Sequence, residues 1–209
     1  AYLDDFTNTG TYTGNVIVEM FVTPGSGLGQ RYFGSSVTSG AVQGLNTAYT
    51  GYPLGQIIPL AACDPNQLDA SSPYSNLFQW DEDNTFSLAC EQEGWTAISA
   101  ATSLTPGRAY AGWMDDGSII SVNGTPNTGD VNVSITNSGS SVTNGEGWNM
   151  VGNPYPSPIS RDDIITANAA DIQYYVASGP YQGTFSPYLP TSNIAIGQGF
   201  FINGYHIVV

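Results

Sequence analysis

The chain repeats itself, and the repeat decides what it can fold into. Gly10-Thr11-Tyr12-Thr13-Gly14-Asn15-Val16-Ile17-Val18 returns, one residue longer, as Gly124-Thr125-Pro126-Asn127-Thr128-Gly129-Asp130-Val131-Asn132-Val133. Ser103-Leu104-Thr105-Pro106-Gly107-Arg108-Ala109-Tyr110 is echoed by Asn193-Ile194-Ala195-Ile196-Gly197-Gln198-Gly199-Phe200, at a constant offset of ninety. Trp95 and Phe185 fall on the same offset, and Tyr32-Phe33-Gly34-Ser35-Ser36 corresponds loosely to Met150-Val151-Gly152-Asn153-Pro154. The landmarks keep their order, which chance similarity between Gly-rich stretches would not give. A repeat of this kind speaks of architecture before chemistry. It predicts two diverged copies of one β unit, residues 1–115 and 116–209, either sharing one core or packed as two lobes.

Composition narrows the class. The 209 residues can bury a real core, and 41% of them are hydrophobic. The chain has no run of about eighteen apolar residues, so no membrane-spanning helix is expected. Three arginines (Arg31, Arg108, Arg161) and no lysine face seventeen acids, for a net charge of −14. Nucleic acid as a partner needs clustered cations, which are missing, and anionic membrane surfaces are disfavoured for the same reason. Yet only 10% of residues are charged, so the surface must be largely Ser, Thr, Asn and Gly. β-branched and aromatic residues abound, with 25 Gly and 13 Pro for turns.

Strands are predicted at 15–22, 30–35, 77–81, 96–99, 109–114, 118–122, 130–136, 148–152, 172–176, 199–203 and 205–209. The clearest alternation puts Val131, Val133 and Ile135 inward, and Asn132, Ser134 and Thr136 outward. One short helix is expected near 160–168, with Ser160 as cap, Asp163 as its capping-box partner and Ile164-Ile165 opening an apolar face. Many short strands between regular turns predict an all-β, jelly-roll-like β-sandwich.

Gly147-Trp148-Asn149-Met150-Val151-Gly152-Asn153-Pro154-Tyr155-Pro156-Ser157-Pro158-Ile159 is an unusual stretch. A strand bearing a large aromatic runs into alternating prolines, which fix a rigid extended path. The stretch resembles an element of large secreted and cell-surface proteins of Bacteroidetes exported by the type IX system. Four more segments resemble elements of the same region: Gly14 to Phe21, Arg31 to Val37, Leu104 to Tyr110 and Ile196 to Ile202. There are departures: Met20-Phe21 stands where that region has Arg-Tyr, and Ala109 where it has Gly. The resemblance implies an exported, β-rich surface region and carries no catalytic residues. Trp148, Asn153, Pro154, Tyr155 and Pro156 are singled out as a rigid structural element, and Gly107 and Gly197 as equivalent turns.

The two cysteines, Cys63 and Cys90, lie in segments that the first copy has and the second lacks. A disulfide between them would constrain the unfolded chain by about 3 kcal/mol and implies an oxidising compartment. No catalytic residues are assigned. A triad needs a histidine, and the one present, His206, sits in an apolar strand with no second signal. Asp81, Glu82, Asp83, Asp115 and Asp116 are the candidate calcium ligands, oxygen-rich but without EF-hand spacing; solvated acidic turns are the plainer reading. No other cofactor is expected. The aromatic supply would suit sugar stacking, but its recurrence at copy-equivalent positions (Trp95 and Phe185, Tyr110 and Phe200) favours core packing.

The chain ends on Tyr205-His206-Ile207-Val208-Val209. An apolar terminal strand closes its own sheet or pairs with another copy. The expectation is therefore a non-enzymatic, extracellular or outer-surface structural protein, self-assembling through strand pairing into a homopolymer. The alternative is a carbohydrate-binding or adhesin module.

Overall fold

The computed structural model describes residues 13–22, 29–43, 77–82, 94–98, 102–114, 117–137, 147–166, 171–176, 183–187, 192–203 and 207–208. Among them strands are the main regular structure, beside one three-residue 3-10 turn. The first half carries β1 (Val16–Phe21), β2 (Gly29–Gly34), β3 (Val37–Gln43), β4 (Leu77–Trp80), β5 (Trp95–Ala97), β6 (Ala109–Met114) and β7 (Ile119–Pro126). The second carries β8 (Asn132–Val133), β9 (Trp148–Gly152), β10 (Ile159–Ser160), β11 (Ile165–Thr166), β12 (Asp171–Tyr175), β13 (Phe185–Pro187), β14 (Asn193–Ile194), β15 (Gly199–Asn203) and β16 (Ile207–Val208).

The strand orders reveal the repeat. One four-stranded sheet runs β2-β6-β4-β5, the other β9-β15-β12-β13. Laid over each other by the sequence offsets, these are the same sheet: β2 matches β9, β6 matches β15, β4 matches β12 and β5 matches β13. The three-stranded sheets agree likewise, β1-β7-β3 against β8-β16-β11. Register holds to the residue. Phe78 lies opposite Ala111 in one sheet, and Gln173 opposite Phe201 in the other. All the strand pairings are antiparallel. β7 lies beyond residue 115 yet pairs with β1 and β3, so its sheet partners are all strands of the first copy.

Alternation along these strands fills both faces of each four-stranded sheet. Phe33, Tyr110 and Leu77 enter a first core with Val22, Val37, Ile120 and Val122 from the three-stranded sheet and its flank. Val151, Phe200 and Ile202 enter a second, with Val133, Ile159 and Ile194. Phe33 and Phe200 are almost fully buried, and each such side chain contributes about 1.5–3 kcal/mol. Because side chains alternate, neighbours in sequence point the other way. Tyr32, Ala109 and Ala111 from one sheet meet Met150, Trp148 and Phe201 from the other in a third cluster. The molecule is thus two sandwiches set back to back, each with its own core.

Contacts between the sandwiches are reciprocal. Phe33 bridges Gln198, and its counterpart Val151 bridges Arg108, the counterpart of Gln198. The Gly34 N–H donates to the Gly197 carbonyl at 2.7 Å, and the Gly152 N–H to the Gly107 carbonyl at 3.0 Å. Gly107 (φ 79°) and Gly197 (φ 61°) both take the left-handed conformation that glycine adopts without strain. Each turn also presses on the other unit. A Cβ on Gly107 would stand 2.3 Å from Val133, and one on Gly197 2.0 Å from Met20.

The helix expected near 160–168 is not formed. The capping box is present: Asp162 N–H donates to Ser160 Oγ at 3.2 Å and Ser160 N–H to Asp163 Oδ2 at 2.9 Å. It caps only a three-residue 3-10 turn, Arg161–Asp163. Ile164 then turns extended to reach the second core, and Ile165–Thr166 pairs with Val208 and Ile207. Strand pairing and apolar burial outweigh an isolated helical turn, which is intrinsically marginal. β3, β10, β13 and β14 were not expected from the pattern. β3 changes register between Thr38 and Ala41, which breaks its alternation. β13 holds a proline, which an outermost strand tolerates.

Candidate functional site

The back-to-back sheets touch closely at their glycines and leave a cleft of about 370 Å³ at the aromatic end. On the first unit, Trp80 of β4 lies directly opposite Trp95 of β5. The rings meet edge to face, with centroids 5.0 Å apart. The Asp81 N–H, donating to the Gly94 carbonyl at 2.8 Å, holds this strand pair at its end. On the second unit, the equivalent register brings Tyr175 of β12 opposite Phe185 of β13, with ring centroids 5.6 Å apart.

Between these pairs lie Tyr32 and Phe201. Tyr32 packs 4.9 Å from Tyr175 and 5.9 Å from Trp95. Phe201 stands edge-on to Trp80 at 5.3 Å and to Phe185 at 5.5 Å. Trp148 completes the wall, and its carbonyl accepts the Trp80 Nε1–H at 2.6 Å. Among the described residues that line the cleft, Gln173 is the one that is not aromatic, and none is charged. Phe185 keeps 46% of its surface exposed, so the cleft opens to solvent on the side of β13.

Burial raises the Tyr32 hydroxyl well above the ordinary tyrosine range, and the Tyr175 hydroxyl adds to the rise. The hydroxyl donates to Gln30 Oε1 at 3.3 Å. Folding favours the neutral phenol, so this contribution to stability is complete below the ordinary tyrosine pKa of about 10. It is lost as pH rises from there towards the folded-state pKa. We expect chemical denaturation at pH 8 and pH 11 to show an alkaline loss of stability that Tyr32→Phe reduces. An equal loss in the variant would place the alkaline sensitivity elsewhere.

The element around Asn153 lies at the far end of β9 from Trp148. The Asn153 side chain is fully buried, and its Nδ2 donates to the carbonyls of Ser157 (2.8 Å), Ala195 (3.1 Å) and Ile194 (3.3 Å). Its Oδ1 accepts the Tyr155 N–H at 2.9 Å. Ser35, its counterpart in the first copy, makes the smaller version, with Oγ accepting the Val37 N–H at 3.4 Å. The Pro154 carbonyl accepts Asn127 Nδ2 at 2.7 Å, and Asn127 Oδ1 accepts the Thr38 hydroxyl at 2.5 Å. Tyr155 donates its hydroxyl to the Gly129 carbonyl at 2.6 Å, and Pro156 is half-buried. Trp148, accepting from Trp80, and Pro154, accepting from Asn127, thus tie this stretch to the first unit, and Asn153 ties it to β14 of the second.

Asp81 is exposed, whereas Glu82 is buried and its carboxylate accepts the Gly147 N–H. Asp83, Asp115 and Asp116 lie outside the described residues, as do Cys63 and Cys90. Among the described residues, no three His, Cys, Asp or Glu side chains come together. In the terminal strand, Ile207 and Val208 pair with β11 on one side and β8 on the other. At these two residues both edges are filled within the chain, so pairing with another copy there would require displacing a neighbour. Tyr205, His206 and Val209 lie outside the described residues.

Trp95 packs against the third cluster and also lines the cleft, Phe185 lines the cleft, and Tyr110 and Phe200 are core. The signal that separates them is adjacency. Tyr32-Phe33 and Phe200-Phe201 put large rings on both faces of one strand, and one sandwich core can take only one face.

Fold and site together define a class: an all-β tandem sandwich with an aromatic cleft between its copies. The chain belongs to the family described as a domain of unknown function, DUF8693, whose model matches residues 57–184. That match covers strands of both units. Comparison with curated proteins and with solved structures gives no match. Among the described residues, no helix is long and apolar enough to cross a membrane.

Proposed function

We propose that the chain is a non-enzymatic binding module of an extracellular or outer cell surface, and that its aromatic cleft takes a glycan. The observation that carries this reading is the cleft itself, walled by Trp, Tyr and Phe from both copies. Its volume falls in the range of small-ligand sites, which combine apolar walls with a few polar groups. The walls offer ring faces, an amide and a hydroxyl, which are groups for holding a molecule. The likeness to exported surface proteins and the charge-poor, Ser/Thr/Asn-rich composition support the location.

Three of the four tryptophans line the cleft, so intrinsic fluorescence reports on it. Titration with a panel of oligosaccharides should shift the emission and release heat in calorimetry. Trp95→Ala should weaken binding about tenfold, the worth of one well-placed aromatic contact. A panel that leaves both signals flat would end this reading.

Self-assembly is the second reading, and β1 favours it. Among the described residues β1 is the outermost strand of its sheet, and Ile17 and Phe21 on it are 63% and 61% exposed. An apolar outermost strand without lysine invites pairing with another copy. Negative-stain microscopy of the native protein tests this, with and without a chelator. Regular fibres would support assembly, and their loss on chelation would assign calcium to the acidic turns. Single particles in both buffers would exclude it.

A further inference from the structure

We infer that Gln173 is the specificity-determining residue of the cleft and that it selects an uncharged sugar ring. The inference rests on the glycan reading above and deepens it. In the first unit the equivalent place belongs to Phe78, opposite Ala111; in the second it belongs to Gln173, opposite Phe201. The frame of the two copies is retained, with Gly34 against Gly152 and Gly107 matching Gly197. At this position one copy has exchanged an apolar ring for an amide that faces the cleft.

Two other polar groups of the walls are already engaged as donors. Trp80 Nε1 donates to the Trp148 carbonyl, and the Tyr32 hydroxyl donates to Gln30. Gln173 brings both a donor and an acceptor, the combination that a sugar hydroxyl can satisfy in either sense. Aromatic faces alone would take any apolar ring; the amide adds a demand for hydroxyls, which is how a small number of placed polar groups sets specificity.

Charge completes the argument. None of the three arginines lines the cleft, and the chain carries −14. A uronic acid, a sialic acid or a sulfated sugar would lose hydration without finding a cation, which opposes its burial. The ligand chemistry that remains is a neutral pyranose with a C–H face for the rings and hydroxyls for Gln173.

The test is calorimetric titration of the full chain and of Gln173→Phe with neutral oligosaccharides and with matched acidic ones. Gln173→Phe installs the residue that the first copy carries, so the fold should tolerate it; Gln173→Leu is the second variant, should the larger ring disturb packing. Expected is binding of neutral glycans by the native chain, about tenfold weaker in either variant, with an unchanged thermal midpoint. Equal affinity in native chain and folded variants would overturn the role of Gln173. Acidic glycans binding as tightly as neutral ones would overturn the selection while leaving the glycan reading intact. Binding of neither class removes the reading itself.

Discussion

Gly152→Ala should lower the thermal unfolding midpoint by about 10 °C, and Gly34→Ala should do the same. A Cβ on Gly152 would stand 2.5 Å from the Gly34 Cα, and one on Gly34 2.7 Å from the Gly152 Cα. The obstacle is backbone on each side, so no rotamer change can relieve it. The Arg108 carbonyl closes the third side at 3.2 Å from the same Cβ of Gly152. The two sheets must separate, which breaks the reciprocal bonds from Gly34 to Gly197 and from Gly152 to Gly107. Overpacking of this kind costs about 3 kcal/mol, and each kcal/mol is worth about 2–4 °C in a chain of this size. Gly183→Ala is the control. Its φ of 86° strains an alanine, but nothing lies within 4 Å, so the cost is local, about 1–2 kcal/mol. Scanning calorimetry of the three variants decides. If Gly152→Ala melts within a degree or two of the native chain, the sheets do not rely on that close approach. Movement of the sheets would also reshape the cleft, so the tryptophan emission should shift in Gly152→Ala and stay native in Gly183→Ala.

The architecture was legible because strand pairing obeys local rules that survive divergence. Val131, Val133 and Ile135 alternate as a half-buried strand must, and Val133 and Ile135 are buried. The offsets that align Trp95 with Phe185 and Ala109 with Gly199 are the offsets that superpose β5 on β13 and β6 on β15. What a single sequence did not show is which of two apolar faces each aromatic takes. Trp80, Trp95 and Phe201 satisfy the same hydrophobic pattern whether they enter a sandwich core or the gap between sandwiches. The answer depends on back-to-back packing, a long-range arrangement with no local signature. Ile164-Ile165 failed in a related way. The capping box forms as its residues predict, yet Ile164 enters the second core and Ile165 pairs with β16, and three residues of helical turn cannot compete. Asn153, picked out for the rigidity of its prolines, proves to be a hydrogen-bonding centre as well.

That centre yields the second large effect. Asn153→Ala should destabilise the chain by about 3–5 kcal/mol, because it strips partners from one N–H and three carbonyls in a buried place. Ser35→Ala, the equivalent change in the first copy, should cost only about 1 kcal/mol, since Ser35 serves the N–H and carbonyl of a single residue, Val37. Asn153→Asp separates hydrogen bonding from shape. The Asp keeps the acceptor for Tyr155 but turns a carboxylate oxygen towards the carbonyls of Ser157, Ile194 and Ala195. Those carbonyls and the burial favour the protonated acid, so its folded-state pKa must lie above the unfolded value of about 3.9. The penalty is then absent below that value and grows as pH rises towards the folded pKa. Urea unfolding at pH 4 and pH 7 should therefore find Asn153→Asp nearer to the native chain in acid than at neutrality, with Asn153→Ala displaced by a similar amount at both. A pH-independent Asn153→Asp would mean that the amide does not donate to those carbonyls in solution. The hold on this loop would then rest on Pro154, Pro156 and the bonds from Asn127 to Pro154 and from Tyr155 to Gly129.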